Sequence, residues 1–251
     1  MKKTLLLLGI IFLLAACGKK GPLIPPEAFV PAPIADLKTG QKGNAFLICW
    51  TPPGKEESGR PLQDLAGFLI FKREVLPPAE DCEECPTAYQ MLRDVDLEYL
   101  QDVRRVGSRL CLFDSDLEAG QTYQYKAVSM VKNGAASRDS NKARRKYLPS
   151  PPAPVLKAGS SPSGVLLEWT IPLRIESGTV TGYNIYRRQA GDIMPLSPLN
   201  DKPVQEDRFE DLTLEPGASY QYVVRTIANV DGEEVESVPS NEVTGELAEP
   251  E

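Results

Sequence analysis

The chain has 251 residues, room for one large or two ordinary domains, and its 41% hydrophobic and 25% charged content suits a packed core rather than disorder. A net charge of −7 lacks the basic footprint that nucleic-acid binding needs, so no nucleic-acid partner is expected. The sequence contains no histidine, which excludes Ser-His-Asp and Cys-His catalysis and every His-ligated metal site.

The first residues read as a targeting segment, set apart from the fold. Lys2 and Lys3 form a positive end, and Thr4 to Leu14 is an apolar run too short to span a bilayer as a helix. It closes in Leu14-Ala15-Ala16-Cys17, which resembles the lipobox of bacterial lipoproteins. That resemblance implies cleavage after residue 16 and acyl chains on Cys17; the alternative is an ordinary cleaved signal with an incidental cysteine. Two or more acyl chains hold a protein firmly on a membrane. Loss of the two lysines leaves 26 basic against 35 acidic residues, a net charge of −9. Gly18, where an aspartate would signal retention, implies the outer membrane by the same resemblance, with the protein either periplasm-facing or surface-exposed.

Residues 17–33 form a proline-rich tether. Cys17-Gly-Lys-Lys-Gly-Pro-Leu23 is similar to the mature start of a family of very small Gram-negative lipoproteins, one member of which associates with the lipopolysaccharide-transport machinery. The resemblance implies contact with an envelope partner. The plainer reading is a stalk stiffened as polyproline II from Pro22 to Pro33, with Lys19 and Lys20 near anionic headgroups.

Beyond the tether, strand signals recur. Val165, Leu167 and Trp169 alternate with other residues, as a half-buried strand requires. Gly182-Tyr-Asn-Ile-Tyr-Arg-Arg188 predicts a second strand and Tyr220-Gln-Tyr-Val-Val224 a third, entered through a Pro216-Gly217 turn. The same landmarks occur earlier, in order: Phe46 to Trp50, Gly67 to Arg73, Asp114 to Gly120 and Tyr123 to Ala127. Asn133-Gly134 and Asp231-Gly232 follow the third strand of each copy as hairpin turns. An internal repeat of this kind predicts an all-β protein of two tandem antiparallel sandwiches. The order Leu-x-Trp, Gly-Tyr-x-Ile-Tyr-Arg and Leu-x-Pro-Gly-x-x-Tyr-x-Tyr-x-Val resembles the fibronectin type III domain, an immunoglobulin-like sandwich. By that resemblance Trp50 and Trp169 are the core tryptophans of strand B. Tyr123 and Tyr220 are then tyrosine-corner residues whose hydroxyls bond back to the chain. The expected domains are 34–148 and 155–247, joined by a proline-rich linker at 149–154 that acts as a semi-rigid spacer.

Gly67 and Gly120 lie 53 positions apart but Gly182 and Gly217 only 35, so the first domain carries about 18 extra residues between strands C and E. They fall in Leu76 to Pro86 and Asp94 to Asp102, and serve either recognition or mere decoration. Arg138, Lys142, Arg144, Arg145 and Lys146 form a basic cluster, read as a guarded edge strand or as a surface for lipid A phosphates, peptidoglycan carboxylates or an acidic partner. The tail from Glu246 is expected to fray.

Four cysteines remain besides Cys17, and an even number in an exported chain suggests disulfides. In the fibronectin type III topology strands B and E are neighbours, and the neighbours of Trp50 and Leu112 point away from the core. The resemblance therefore implies a cross-strand Cys49–Cys111 bridge, with Glu168 and Arg208 as an ion pair at the corresponding place in the second domain. Cys82-Glu-Glu-Cys85 is a redox pair or, in view of the surrounding acids, a disulfide stapling its loop; a zinc site lacks a second ligand pair. Asp94/Asp96 and Glu233/Glu234 are expected in loops or turns, and exposed Tyr89 and Tyr99 are candidates for stacking on sugars. No cofactor or metal and no catalytic residue are expected. The chain reads as a non-enzymatic cell-envelope lipoprotein, a scaffold or adhesion module held at the membrane by its lipid and bound to an envelope protein. A periplasmic thiol-disulfide protein using Cys82 and Cys85, or an accessory protein binding glycan or lipopolysaccharide, are the alternatives.

Overall fold

The computed structural model describes residues 29–171 and 178–247. The expected lipidation site Cys17, the expected signal segment, most of the expected tether and the last four residues of the chain lie outside them. Among the described residues the elements are all strands. The first sandwich holds β1 (Lys38–Lys42), β2 (Ala45–Trp50), β3 (Leu65–Glu74), β4 (Gln90–Asp96), β5 (Val103–Val106), β6 (Arg109–Asp114), β7 (Thr122–Val131) and β8 (Ala143–Lys146). The second holds β9 (Val155–Ser160), β10 (Val165–Thr170), β11 (Thr179–Gln189), β12 (Arg208–Asp211), β13 (Tyr220–Val230), β14 (Glu233–Glu236) and β15 (Val243–Gly245).

Alternation builds each core. Phe46, Ile48 and Trp50 of β2 are fully buried, as are Phe68 and Ile70 of β3 and Tyr125 of β7. Val165, Leu167, Ile185, Tyr222 and Val224 fill the same places in the second sandwich. Each tryptophan meets an aromatic edge-to-face, Trp50 with Phe68 at 5.4 Å and Trp169 with Tyr183 at 5.2 Å. The hydroxyl of Tyr123 accepts the Glu118 N–H at 2.9 Å, and that of Tyr220 accepts the Glu215 N–H at 3.3 Å.

A polar network is also duplicated. Tyr125 and Tyr222 donate to the buried carboxylates of Asp114 and Asp211, which Lys72 and Arg187 neutralise at 2.9 and 2.7 Å. Burial pushes the Asp211 carboxyl up, but bonds from Thr213, Arg187 and Tyr222 outweigh it and hold it below its ordinary 3.8. A second duplicated device closes the last strand. Ser140 and Ser240 hydroxyls accept the Ala127 and Val224 N–H groups, and Asn141 and Asn241 side chains bridge the backbone of Leu37 and Leu156. Its signal is the repeat Ser137-x-x-Ser140-Asn141 and Ser237-x-x-Ser240-Asn241.

β2 and β6 pair with Cys49 opposite Cys111, and a disulfide joins them with Cα atoms 4.2 Å apart. In the chain-entropy account a bridge between residues 62 positions apart contributes about 4 kcal/mol. Glu168 and Arg208 face each other in the same register but form no salt bridge, since an exposed pair gains little over water.

Three sequence expectations change. Asp94 and Asp96 lie on β4 rather than in a loop: the 90–96 segment pairs with β3 and buries Val95 beneath it. Glu233 and Glu234 begin β14, the turn being confined to Asp231-Gly232. The end of the expected tether belongs to the first sandwich, because Ala32 N–H donates to Lys55 O and Val30 O accepts from Glu57 N–H.

The larger change is at the linker. β1 of the first sandwich pairs in parallel with β14 of the second, Gln41 with Val235 and Lys42 with Glu236, so one sheet runs β11-β13-β14-β1-β2-β6-β5 through both domains. Leu148, just before the linker, is buried with Ala228, Val230 and Val235. The Gln41 side chain extends the ladder, donating to Leu148 O at 2.7 Å and accepting its N–H at 3.1 Å. Lys42 crosses into the second sandwich, where its ammonium lies 2.9 Å from Glu236, donates to Leu196 O at 2.9 Å and contacts the Tyr186 hydroxyl at 2.5 Å. Burial pulls this ammonium below its ordinary 10.5 against the opposing pull of Glu236. Proline stiffness is therefore secondary; hydrogen bonds and a buried ion pair fix the two sandwiches.

Glu236→Ala should strand Lys42 in the interface and cost roughly 3 kcal/mol in urea unfolding, whereas Lys42→Met with Glu236→Leu should recover most of it. For Asp211 the folded pKa lies below the unfolded one, so its stabilisation is present above the unfolded value and lost as pH falls through the folded one. Stability measured against pH should drop on the acid side of 3.8, and Asp211→Asn should flatten that drop at the cost of lower stability at neutral pH.

Candidate functional site

The sheet β4-β3-β7-β8 turns one face to the core and the other outward. Because Phe68 and Ile70 point inward, Leu69, Phe71 and Arg73 point out, beside Gln124, Lys126, Val128 and Met130 of β7. Both inserted segments rise from this face, one at each end.

At one end residues 76–89 fold back over Arg73, which is 5% exposed although it faces outward. Its guanidinium donates to both carboxylate oxygens of Asp81, at 2.5 and 3.1 Å, and to Gln124 at 2.9 Å. The Asp81 bond raises the Arg73 pKa and holds the Asp81 carboxyl below its usual range. Glu83 lies 3.5 Å from Arg73 and bonds Lys142, whose ammonium depresses the Glu83 carboxyl and also lies 3.6 Å from Glu84. Tyr89 is half-buried: its ring lies under Lys126 at 4.3 Å and its hydroxyl donates to Glu83 at 3.4 Å. It is thereby withdrawn from the stacking role expected of an exposed aromatic. Cys82 and Cys85 are joined by a disulfide and both are exposed. A concavity of about 620 Å³ lies beside them, bordered by Lys72, Leu76, Thr87 and Met91.

At the other end, Gly67, Leu69 and Met130 floor a second concavity of about 640 Å³, walled by Asp94, Asp96 and Tyr99. Tyr99 is 68% exposed. Gly67 is required where β4 crosses β3: a Cβ there would lie 2.1 Å from the Val95 carbonyl oxygen. Gly182 holds the equivalent place near the start of β11, where a Cβ would meet Val204 O at 2.8 Å.

Four of the five cations of the basic cluster pair within the molecule, and Arg144 is exposed with no ion pair among the described residues. Arg138 pairs with Glu57 at 2.7 Å and Lys142 with the inserted loop. Arg145 reaches Glu233 at 3.2 Å and Lys146 reaches Asp231 at 3.8 Å, both in the second sandwich. β8 is an edge strand, and its Arg145 and Lys146 reach the neighbouring domain. Sequence reasoning missed Arg73 and Gln124 because Gln124 lies 51 positions from Arg73 and 41 from Glu83. The signal available was the arginine after Phe71-Lys72, an unpaired charge on a strand flanked by acids eight to eleven residues on.

Residues 150–243 match the fibronectin type III domain family. The crystal structure of chicken CNTN1 FN1-FN3 domains is similar over 86% of this chain and 65% of that one, at 15% identity and a TM-score of 0.35. This chain thus spans less than two thirds of that chain's length.

Arg73→Ala should free the 76–89 loop while leaving the core intact. The expected loss is about 2 kcal/mol, since Asp81 can rehydrate, with faster amide exchange confined to that loop.

Proposed function

We propose that this chain is a non-enzymatic, lipid-anchored scaffold of the cell envelope, which presents the insertion-bearing face of its first sandwich to an envelope protein. The observation that carries the reading is the parallel β1–β14 pairing, which makes one arm of two sandwiches and fixes the direction of that face. A rigid arm on a lipidated, proline-stiffened stalk can hold a docking face at a set distance from a membrane, and rigidity lowers the ordering cost of binding. The lipobox ending in Cys17 supports outer-membrane attachment, and the fibronectin type III domain at 150–243 supports a binding or adhesion role.

Labelling with a fatty-acid probe in a Gram-negative host tests the anchor. Wild type should label and fractionate with outer membranes, and Cys17→Ala should do neither; a Cys17→Ala chain that still labels defeats the reading. A photo-crosslinker at Met91, 61% exposed on that face, should give a discrete protein adduct, whereas one at Lys157 on the second sandwich should not.

Tyr99 favours saccharide as a second ligand class. An exposed tyrosine beside Asp94, Asp96, Arg93 and Gln101 supplies the ring face and polar rim that sugars use. Saccharide binding there should perturb intrinsic fluorescence in wild type and not in Tyr99→Ala.

A further inference from the structure

We propose that the Cys82–Cys85 disulfide is a thiol-disulfide exchange site, which accepts two electrons from a protein bearing a Cys-x-x-Cys dithiol and opens without unfolding the sandwich. The two disulfides of this chain sit in opposite surroundings. Cys111 is 2% exposed, bridged across the sheet to Cys49, and its other register partner Arg104 donates to the Met194 carbonyl of the second sandwich. Cys82 and Cys85 are both exposed and only three positions apart, so opening their bond releases little chain entropy.

In the bare sequence Glu80, Asp81, Glu83 and Glu84 argue against a reactive thiolate, because negative charge disfavours it. Folding meets half of that charge, two cations against four acids. Asp81 pairs with Arg73, Glu83 lies between Arg73 and Lys142, and Glu84 lies 3.6 Å from Lys142. Among the described residues Glu80 alone of the four makes no ion pair. The loop is also held by bonds that do not involve sulfur, Asp81 on Arg73 and Glu83 on Gln124 and Tyr89. Reduced thiols would therefore remain close together, poised to re-form the bond. The adjoining concavity of about 620 Å³ leaves room for a partner's active-site loop against the disulfide.

The step balances. A partner thiolate attacks one sulfur of the pair, forming a mixed disulfide and expelling the other sulfur as a thiolate, which takes up the proton the attacking thiol lost. The partner's second thiol then attacks the mixed disulfide. It leaves as the partner's own disulfide, and its proton goes to the second cysteine of this chain. Two electrons and two protons have moved from partner to loop.

The processed, oxidised full chain is titrated with dithiothreitol, and free thiols are alkylated and located by mass spectrometry. Cys82 and Cys85 should open at about tenfold lower reductant than Cys49 and Cys111, with an unchanged circular dichroism spectrum. In parallel the chain is mixed with a reduced thioredoxin-fold protein whose second active-site cysteine is changed to serine. A mixed disulfide should form with wild type and not with the Cys82→Ser/Cys85→Ser double variant. Both disulfides opening together, no mixed disulfide with wild type, or an equal adduct with the double variant would each overturn the proposal.

Discussion

The backbones of Gln41 and Lys42 run parallel to Val235 and Glu236, and that short join turns two sandwiches into one body. Two ladder positions alone would be weak. They hold because the flanking groups are dry: Val235 and Ala228 are fully buried, and Gln41 supplies the hydrogen bonds that a longer strand would have made. Once Lys42 has left water it must find an anion, and Glu236, itself bonded by Tyr186 and Asn184, is the group that meets it. The position of the second sandwich follows from that requirement.

The same logic of charges seeking partners shapes the other end of the first sandwich. Arg73 faces outward on β3, yet the inserted loop buries it, and the acids flanking Cys82 and Cys85 are the groups that make burial tolerable. Lys142, just before β8, pairs with this loop, and Arg145 and Lys146 of β8 pair with the second domain. On the first sandwich Met91 of β4 and Tyr99 just beyond it stand out at 61% and 68% exposure. Loops added to a repeated core often carry recognition, and both additions here emerge on one face.

Much of this was legible in one dimension because it repeats. Trp50 and Trp169, Tyr123 and Tyr220, and the glycines at 67 and 182 recur at matching places, and alternation states which side chains face the core. The cross-strand neighbours Cys49 and Cys111 follow from the same parity combined with the family's strand order. The second insertion was harder to read. Its Gln90 to Asp96 segment is polar and charged, and it becomes a strand only because β3 offers an unpaired edge with Gly67 beneath it. Local propensity was overridden by an available ladder.

The sequence by itself determined that the chain is all-β and that it is built twice on one plan. Those properties are written in local periods and short motifs, which neighbouring residues suffice to specify. The tertiary structure alone decided how the copies are joined, that most of the basic cluster pairs with internal acids, and that two cations meet the carboxylates around Cys82 and Cys85. Each of these depends on a charge meeting its opposite across a long stretch of chain, as Arg145 meets Glu233. Burial makes such meetings obligatory, but no local pattern names the partner.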